Sequence, residues 1–126
     1  MNKLIIDVTN EKIFLTVITN SDVYNITKEN TKSNYEKLTL IINDFLSSNK
    51  LIINDISKIY LNRGLGSFAG IRNLLSIVKA FNLVNDIDYY CYSLDDFRGE
   101  KDVKYENIPD LCEKFKIEKN LINPNY

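Results

Sequence analysis

The sequence has no histidine, one methionine, and only two each of cysteine and proline. Without histidine the chain lacks the commonest metal ligand and the commonest acid–base group at neutral pH. Cys91 and Cys112 form no C-x-x-C pair, so both thiols read as small core fillers in a reduced, cytosolic compartment. No apolar run approaches the length of a membrane span, and the first residues lack a signal-peptide layout. No charge of one sign dominates: the net charge is −1 with acids and bases interspersed, which argues against an autonomous nucleic-acid binder.

What is present is a 126-residue chain, 44% hydrophobic and 26% charged, in the range of one globular domain with a real core. Glycine is scarce, yet three of the four glycines crowd into Leu61–Arg72, between an apolar strand end and a helical pattern. Such a loop can hold an anion on the unpaired first-turn N–H groups of the helix. It can equally be a plain strand-to-helix turn, with glycine supplying positive φ, the role expected of Gly66 and Gly70. Two nucleotide signatures fail. A P-loop needs Lys and Ser/Thr after its last glycine, where Ile71 and Arg72 stand, and Gly64, Gly66 and Gly70 are one residue too widely spaced for G-x-G-x-x-G.

Along the chain, Lys3–Val8, Lys12–Thr19 and Asp22–Thr27 read as three strands joined by tight turns, an antiparallel meander. The second strand is apolar on both sides, so the sheet is expected to be covered on both faces. Asp7 and Thr9, beside the first turn, can face a phosphate–metal group or bond the turn's own backbone. Ser33 with Glu36 reads as a capping box opening a helix that ends at Ser47–Asn49. Lys58–Leu61 is a fourth strand, Ile71–Val84 a second long helix and Asp88–Tyr92 a fifth strand. Ser93 caps a short helix over Leu94–Phe97, Arg98–Tyr105 reads as charged and solvated, and Pro109 opens a last helix to Phe115. The tail from Leu121 to Tyr126 reads as extended.

Three meander strands followed by helix–strand–helix–strand predict an α/β, ribonuclease-H-like or actin-like single lobe. Its sheet would be mixed and five-stranded, with helices on both faces. Both long helices carry wide apolar stripes. Leu38, Ile42 and Phe45 lie on the first, and Ile71, Leu74, Ile77, Val78 and Phe81 on the second. These stripes either cover the sheet or leave an apolar edge as a partner-docking face.

At the glycine loop the pattern becomes specific. Arg63-Gly64-Leu65-Gly66-Ser67-Phe68-Ala69-Gly70-Ile71-Arg72 resembles the R-G-P-G-S-F-T-G-x-R signature of the TsaB (YeaZ) family, accessory proteins of threonylcarbamoyladenosine formation in tRNA. Ile5–Thr9 looks like the family's I-D-T-S strand, Asp55–Ile59 like its approach to the loop, and Tyr92–Phe97 like its S-S-L-x-x-L. Leu65 and Ala69 depart from the motif's proline and threonine. The resemblance covers roughly the first hundred residues, and only the closing Ile122–Tyr126 looks like the family's P-x-Y tail. It implies an actin-like lobe at 1–97, with a short helix and tail at 98–126 in place of the family's second lobe.

The resemblance further implies a cytoplasmic accessory subunit with no catalysis, cofactor or metal of its own. It would pair with the catalytic subunit TsaD, with the ATPase TsaE in a larger complex and tRNA engaged only indirectly. Under this reading Arg63, Gly64, Gly66, Ser67, Phe68, Gly70 and Arg72 form the motif loop, and Asp7 and Thr9 a degenerate phosphate turn. Two alternatives stand beside it: a stand-alone homodimeric interaction module, and a small actin-like ATPase or nuclease. A nuclease needs several carboxylates converging on metal ions; Asp7 is well placed on the first strand, but the fourth strand ends without an acid.

Overall fold

The structure, a computed structural model, describes residues 1–64 and 69–121. Five strands, β1 (Asn2–Asp7), β2 (Lys12–Ile18), β3 (Val23–Glu29), β4 (Ile56–Asn62) and β5 (Asp88–Tyr92), form one mixed sheet in the order β3-β2-β1-β4-β5. β1–β2 and β2–β3 pair antiparallel, whereas β1–β4 and β4–β5 pair parallel. The ribonuclease-H-like, mixed five-stranded sheet expected from the sequence is therefore present.

Alternation along the strands sorts side chains into two cores. Leu4, Ile6, Ile13, Leu15, Val17, Ile59, Leu61, Tyr89 and Cys91 face one side, where helices α2 (Leu38–Ser48) and α3 (Ala69–Asn85) cover them. Ile5, Tyr60 and Tyr92 face the other, under α4 (Ile108–Lys114) and Phe97. Both faces are covered, as β2's doubly apolar pattern requires. Cys91 and Cys112 are free and buried, one in each core, and burial pushes both thiols up to about 12.

Several local expectations are corrected. The first helix is interrupted at Lys37 into α1 (Lys32–Glu36) and α2, and its cap is Thr31, whose side chain accepts from the Asn34 N–H at 3.2 Å, not Ser33 with Glu36. β3 runs two residues further than expected and β4 begins two earlier. The short helix after β5 is a 3-10 turn, Leu94–Asp96. Arg98–Tyr105 is not wholly solvated, because Val103 and Tyr105 pack against the second core. Gly66, Ser67 and Phe68 of the motif loop, and the tail from Ile122, lie outside the described residues.

The expected docking face is also corrected. Leu38, Ile42, Ile71, Leu74 and Val78 are completely buried and Phe45 is 4% exposed, all in the core on the α2/α3 side. The wide stripes are filled because each helix packs on both the sheet and its neighbouring helical segments. Ile77 and Phe81 are only half-buried, and with Val84, 80% exposed, they form an i, i+4, i+7 row emerging on α3. Leu74→Asp should therefore unfold the domain instead of sparing it. A buried, unpaired carboxylate costs on the order of several kcal/mol, against a typical domain stability of about 5–15 kcal/mol. Val84→Asp should change stability by less than about 0.5 kcal/mol. Circular dichroism melts of the two variants check this; equal melting temperatures would contradict the burial.

Candidate functional site

The chain runs from β1 into β2 on one side of β1 and later places β4 and β5 on the other. A ligand crevice in such α/β sheets opens outside the carboxyl ends of the strands at this switch point. Here Asp7 ends β1, Asn62 ends β4 and Ser93 follows β5.

Asp7 is 3% exposed. Its Oδ1 accepts from the Thr9 N–H at 2.8 Å and from Thr9 Oγ1 at 2.6 Å. Its Oδ2 accepts from Asn62 Nδ2 at 3.2 Å and from the Tyr105 hydroxyl at 3.0 Å. Of the two readings of Asp7 and Thr9, the turn-bonding one is observed, and the same carboxylate also ties β1 to β4 and to a segment 98 residues away. Burial, reinforced by the charge of Asp7 and the hydrogen bond to it, holds the Tyr105 phenol well above its ordinary pKa, so it stays a proton donor. Phe14 packs on the Tyr105 ring at 5.1 Å between centroids.

The network continues outward. Asn62 Oδ1 accepts from the Gly64 N–H at 2.8 Å. Asn30 Nδ2 donates to the carbonyls of Val8 (2.9 Å) and Asn10 (2.7 Å), fixing the β1–β2 turn from the β3 side. Arg63, 7% exposed, donates its N–H to the Tyr92 carbonyl at 2.7 Å, and its guanidinium donates to Ser93 Oγ at 3.3 Å and Asp96 Oδ1 at 3.4 Å. Asp96 Oδ2 accepts in turn from the Ser93 N–H at 2.8 Å. Two polar atoms in this region are buried with no partner among the described residues, Arg63 Nε and the Tyr92 hydroxyl.

Among the described residues, three cavities border the β1–β2 turn. One of about 340 Å³ reaches from Thr9, Asn10 and Asn62 to Gly64 and Leu94. Another, of about 230 Å³, holds Asp7, Tyr92, Lys104 and Tyr105. A third, of about 610 Å³, lies on the other side of the turn, between Thr9, Asn30, Tyr35 and Gly70. The two described glycines of the motif thus face different cavities, and Arg72 is exposed on the first turn of α3. Among the described residues no three His, Cys, Asp or Glu side chains cluster so as to hold a metal ion. The acid nearest in role to a second strand-end carboxylate, Asp96, is paired with Arg63.

Sequence reasoning found Asp7, Thr9, Arg63 and Gly64 but missed Asn62, Asn30, Tyr92 and Tyr105. Tyr105 carried a usable signal. Val103, Tyr105 and Ile108 extend the apolar stripe of the last helix backwards through the charged stretch.

This arrangement defines a ribonuclease-H-like, actin-like lobe with its cleft at the strand ends. No protein-family model and no curated protein matches the sequence, whereas solved structures match the fold. YeaZ from Pseudomonas aeruginosa superposes with a TM-score of 0.66 at 16% identity, covering 73% of this chain and 43% of that one. A second structure, described as an uncharacterized protein with similarity to peptidase YeaZ from the same organism, gives the same values. RuvC from Thermus thermophilus, solved with a Holliday junction substrate, gives 0.53 at 10% identity, over 99% of this chain and 85% of that one. These likenesses establish the fold, in agreement with the resemblance carried by the glycine motif. The chain spans less than half the length of the YeaZ structures it matches.

The glycine requirement follows from the backbone. Gly64 has φ +62°, and a Cβ there would lie 3.1 Å from Thr9 Cγ2 and 3.3 Å from Ile71 Cδ1. Gly70 has no positive φ, and a Cβ there would meet Tyr35 at an ordinary 3.7 Å, so the positive-φ role expected of it is corrected. Gly64→Ala should cost about 1–2 kcal/mol. Gly70→Ala should be neutral or stabilise by up to about 1 kcal/mol. Denaturant melts decide; equal effects would contradict the geometry.

Proposed function

We propose that this chain is a non-catalytic accessory subunit of the TsaB (YeaZ) type, supporting a TsaD-like catalytic subunit in threonylcarbamoyladenosine formation in the cytoplasm. The observation that carries this reading is the R-G-x-G-S-F-x-G-x-R sequence that starts directly after β4 and ends in the first turn of α3, in a lobe whose fold matches YeaZ. The first-strand carboxylate supports it. Both oxygens of Asp7 are occupied in holding loops and strands together, which suits a scaffold better than a group that must release its partners to bind a metal or attack a substrate. The partner would meet the half-exposed edge of α3, at Ile77, Phe81 and Val84, with tRNA contacted only through the catalytic subunit.

Co-expression with the TsaD-like subunit of the same organism tests the proposal. The two chains should co-elute, Val84→Asp should weaken the complex by about tenfold or more, and the Asp7→Asn chain, if folded, should still bind. Co-elution of the chain only with itself would favour the homodimeric interaction module. ATP turnover lost in Asp7→Asn would overturn the non-catalytic reading.

A further inference from the structure

At the opposite end of the sheet, between α4 and the amino-terminal ends of β1 and β4, lies a cavity of about 370 Å³ that the proposed function leaves unused. Its polar lining comes from Lys3 of β1, Lys58 and Tyr60 of β4, Tyr90 of β5, Glu113 of α4 and Lys116 just beyond that helix. We propose that this cavity binds a small phosphate-bearing anion.

Three independent observations support the assignment. First, Lys3 and Lys58 are register partners on adjacent parallel strands, an arrangement in which like charges repel. They meet because the one register shift in the sheet falls between Asn2 and Lys3, where Ser57 Oγ donates to the Asn2 carbonyl at 3.0 Å. Bulges of this kind re-aim side chains next to binding sites.

Second, the lining carries more positive than negative charge. Among the described residues, neither Lys3, Lys58 nor Lys116 has a carboxylate within 4.0 Å. The register neighbour of Lys58 on β5, Asp88, is held by Lys119 at 3.5 Å and by Asn120 at 2.9 Å. Three ammonium groups therefore line the cavity with one carboxylate, Glu113.

Third, Tyr60 is only 3% exposed and lines the cavity. Stacking on Tyr90, with centroids 4.9 Å apart, fixes the ring's direction, and burial raises its pKa so that the phenol remains a donor. Lys58 sits over the same Tyr90 ring at 5.9 Å. Three cations and one phenolic donor match a phosphate group, which carries close to two charges and three strong acceptor oxygens. A single carboxylate offers half the charge and fewer acceptors.

The test uses inorganic pyrophosphate as probe, followed by amide chemical shifts of the full chain, with circular dichroism as folding control. Saturable shifts centred on Lys3, Lys58 and Lys116 are expected. The affinity should fall by about tenfold or more in Lys3→Gln/Lys58→Gln, and by a smaller factor in Tyr60→Phe, which keeps the stacked ring. No saturable shift, or affinity unchanged in the folded double variant, would overturn the proposal. So would tight binding of a single-stranded RNA oligonucleotide at these residues with none of pyrophosphate, which would mark a nucleic-acid surface. The outcome is independent of the accessory role: the double variant should still co-elute with the TsaD-like subunit, and loss of pyrophosphate binding alone leaves that role standing.

Discussion

The structure depends on one buried carboxylate. Asp7 closes β1 by accepting from the Thr9 backbone and hydroxyl, crosses to β4 through Asn62, and draws in the 103–108 segment through Tyr105. A carboxylate with 3% exposure is costly unless hydrogen-bonded, and the four donors around it meet that need. The same contacts set the shape of the strand-end cleft. Asn62, oriented by Asp7 from 55 residues earlier in the sequence, accepts the Gly64 N–H on its side-chain carbonyl and so fixes the start of the glycine loop.

Around this node the two cores divide the work of folding and presentation. The larger, under α2 and α3, takes nearly all the apolar side chains that a sequence reader would offer to a partner, leaving a narrow row on α3. The smaller, under α4, is rich in tyrosine and phenylalanine, with Tyr92 stacked near Phe97 and Tyr60 on Tyr90. Aromatic rings with polar tips let this face reach towards both ends of the sheet: Tyr92 and Tyr105 at the cleft, Tyr60 at the lysine-lined cavity.

The fold class was readable because the short apolar runs at Lys3–Val8 and Lys12–Thr19, the turns between them and the apolar stripe of α3 are strong local signals; the spatial strand order came only with the structure. The motif loop was readable through residue identity, and Asp7 through its position at a turn. Burial of Leu74 and Leu38 was not readable as core or interface, since a stripe's width is the same whether sheet, helix or partner covers it. Tyr105 was missed for a different reason: its apolar signal sat inside a charged stretch, and its hydrogen bond across 98 residues of sequence could not be read from that stretch alone. α1 is tied to α3 by Asn73 Nδ2, which donates to the Tyr35 carbonyl at 2.5 Å, a contact across 38 residues that the local pattern around Ser33 and Glu36 does not show.

The proposed accessory role requires Asp7 to serve as a structural tie that holds no divalent ion. Titration with millimolar Mn²⁺, read by paramagnetic broadening of amide signals, tests it most directly. The expected result is no saturable broadening centred on Thr9, Asn10 and Gly64. Saturable broadening at those amides that disappears in a folded Asp7→Asn variant would contradict it, because a ribonuclease-H-like catalytic centre holds divalent ions on its strand-end carboxylates.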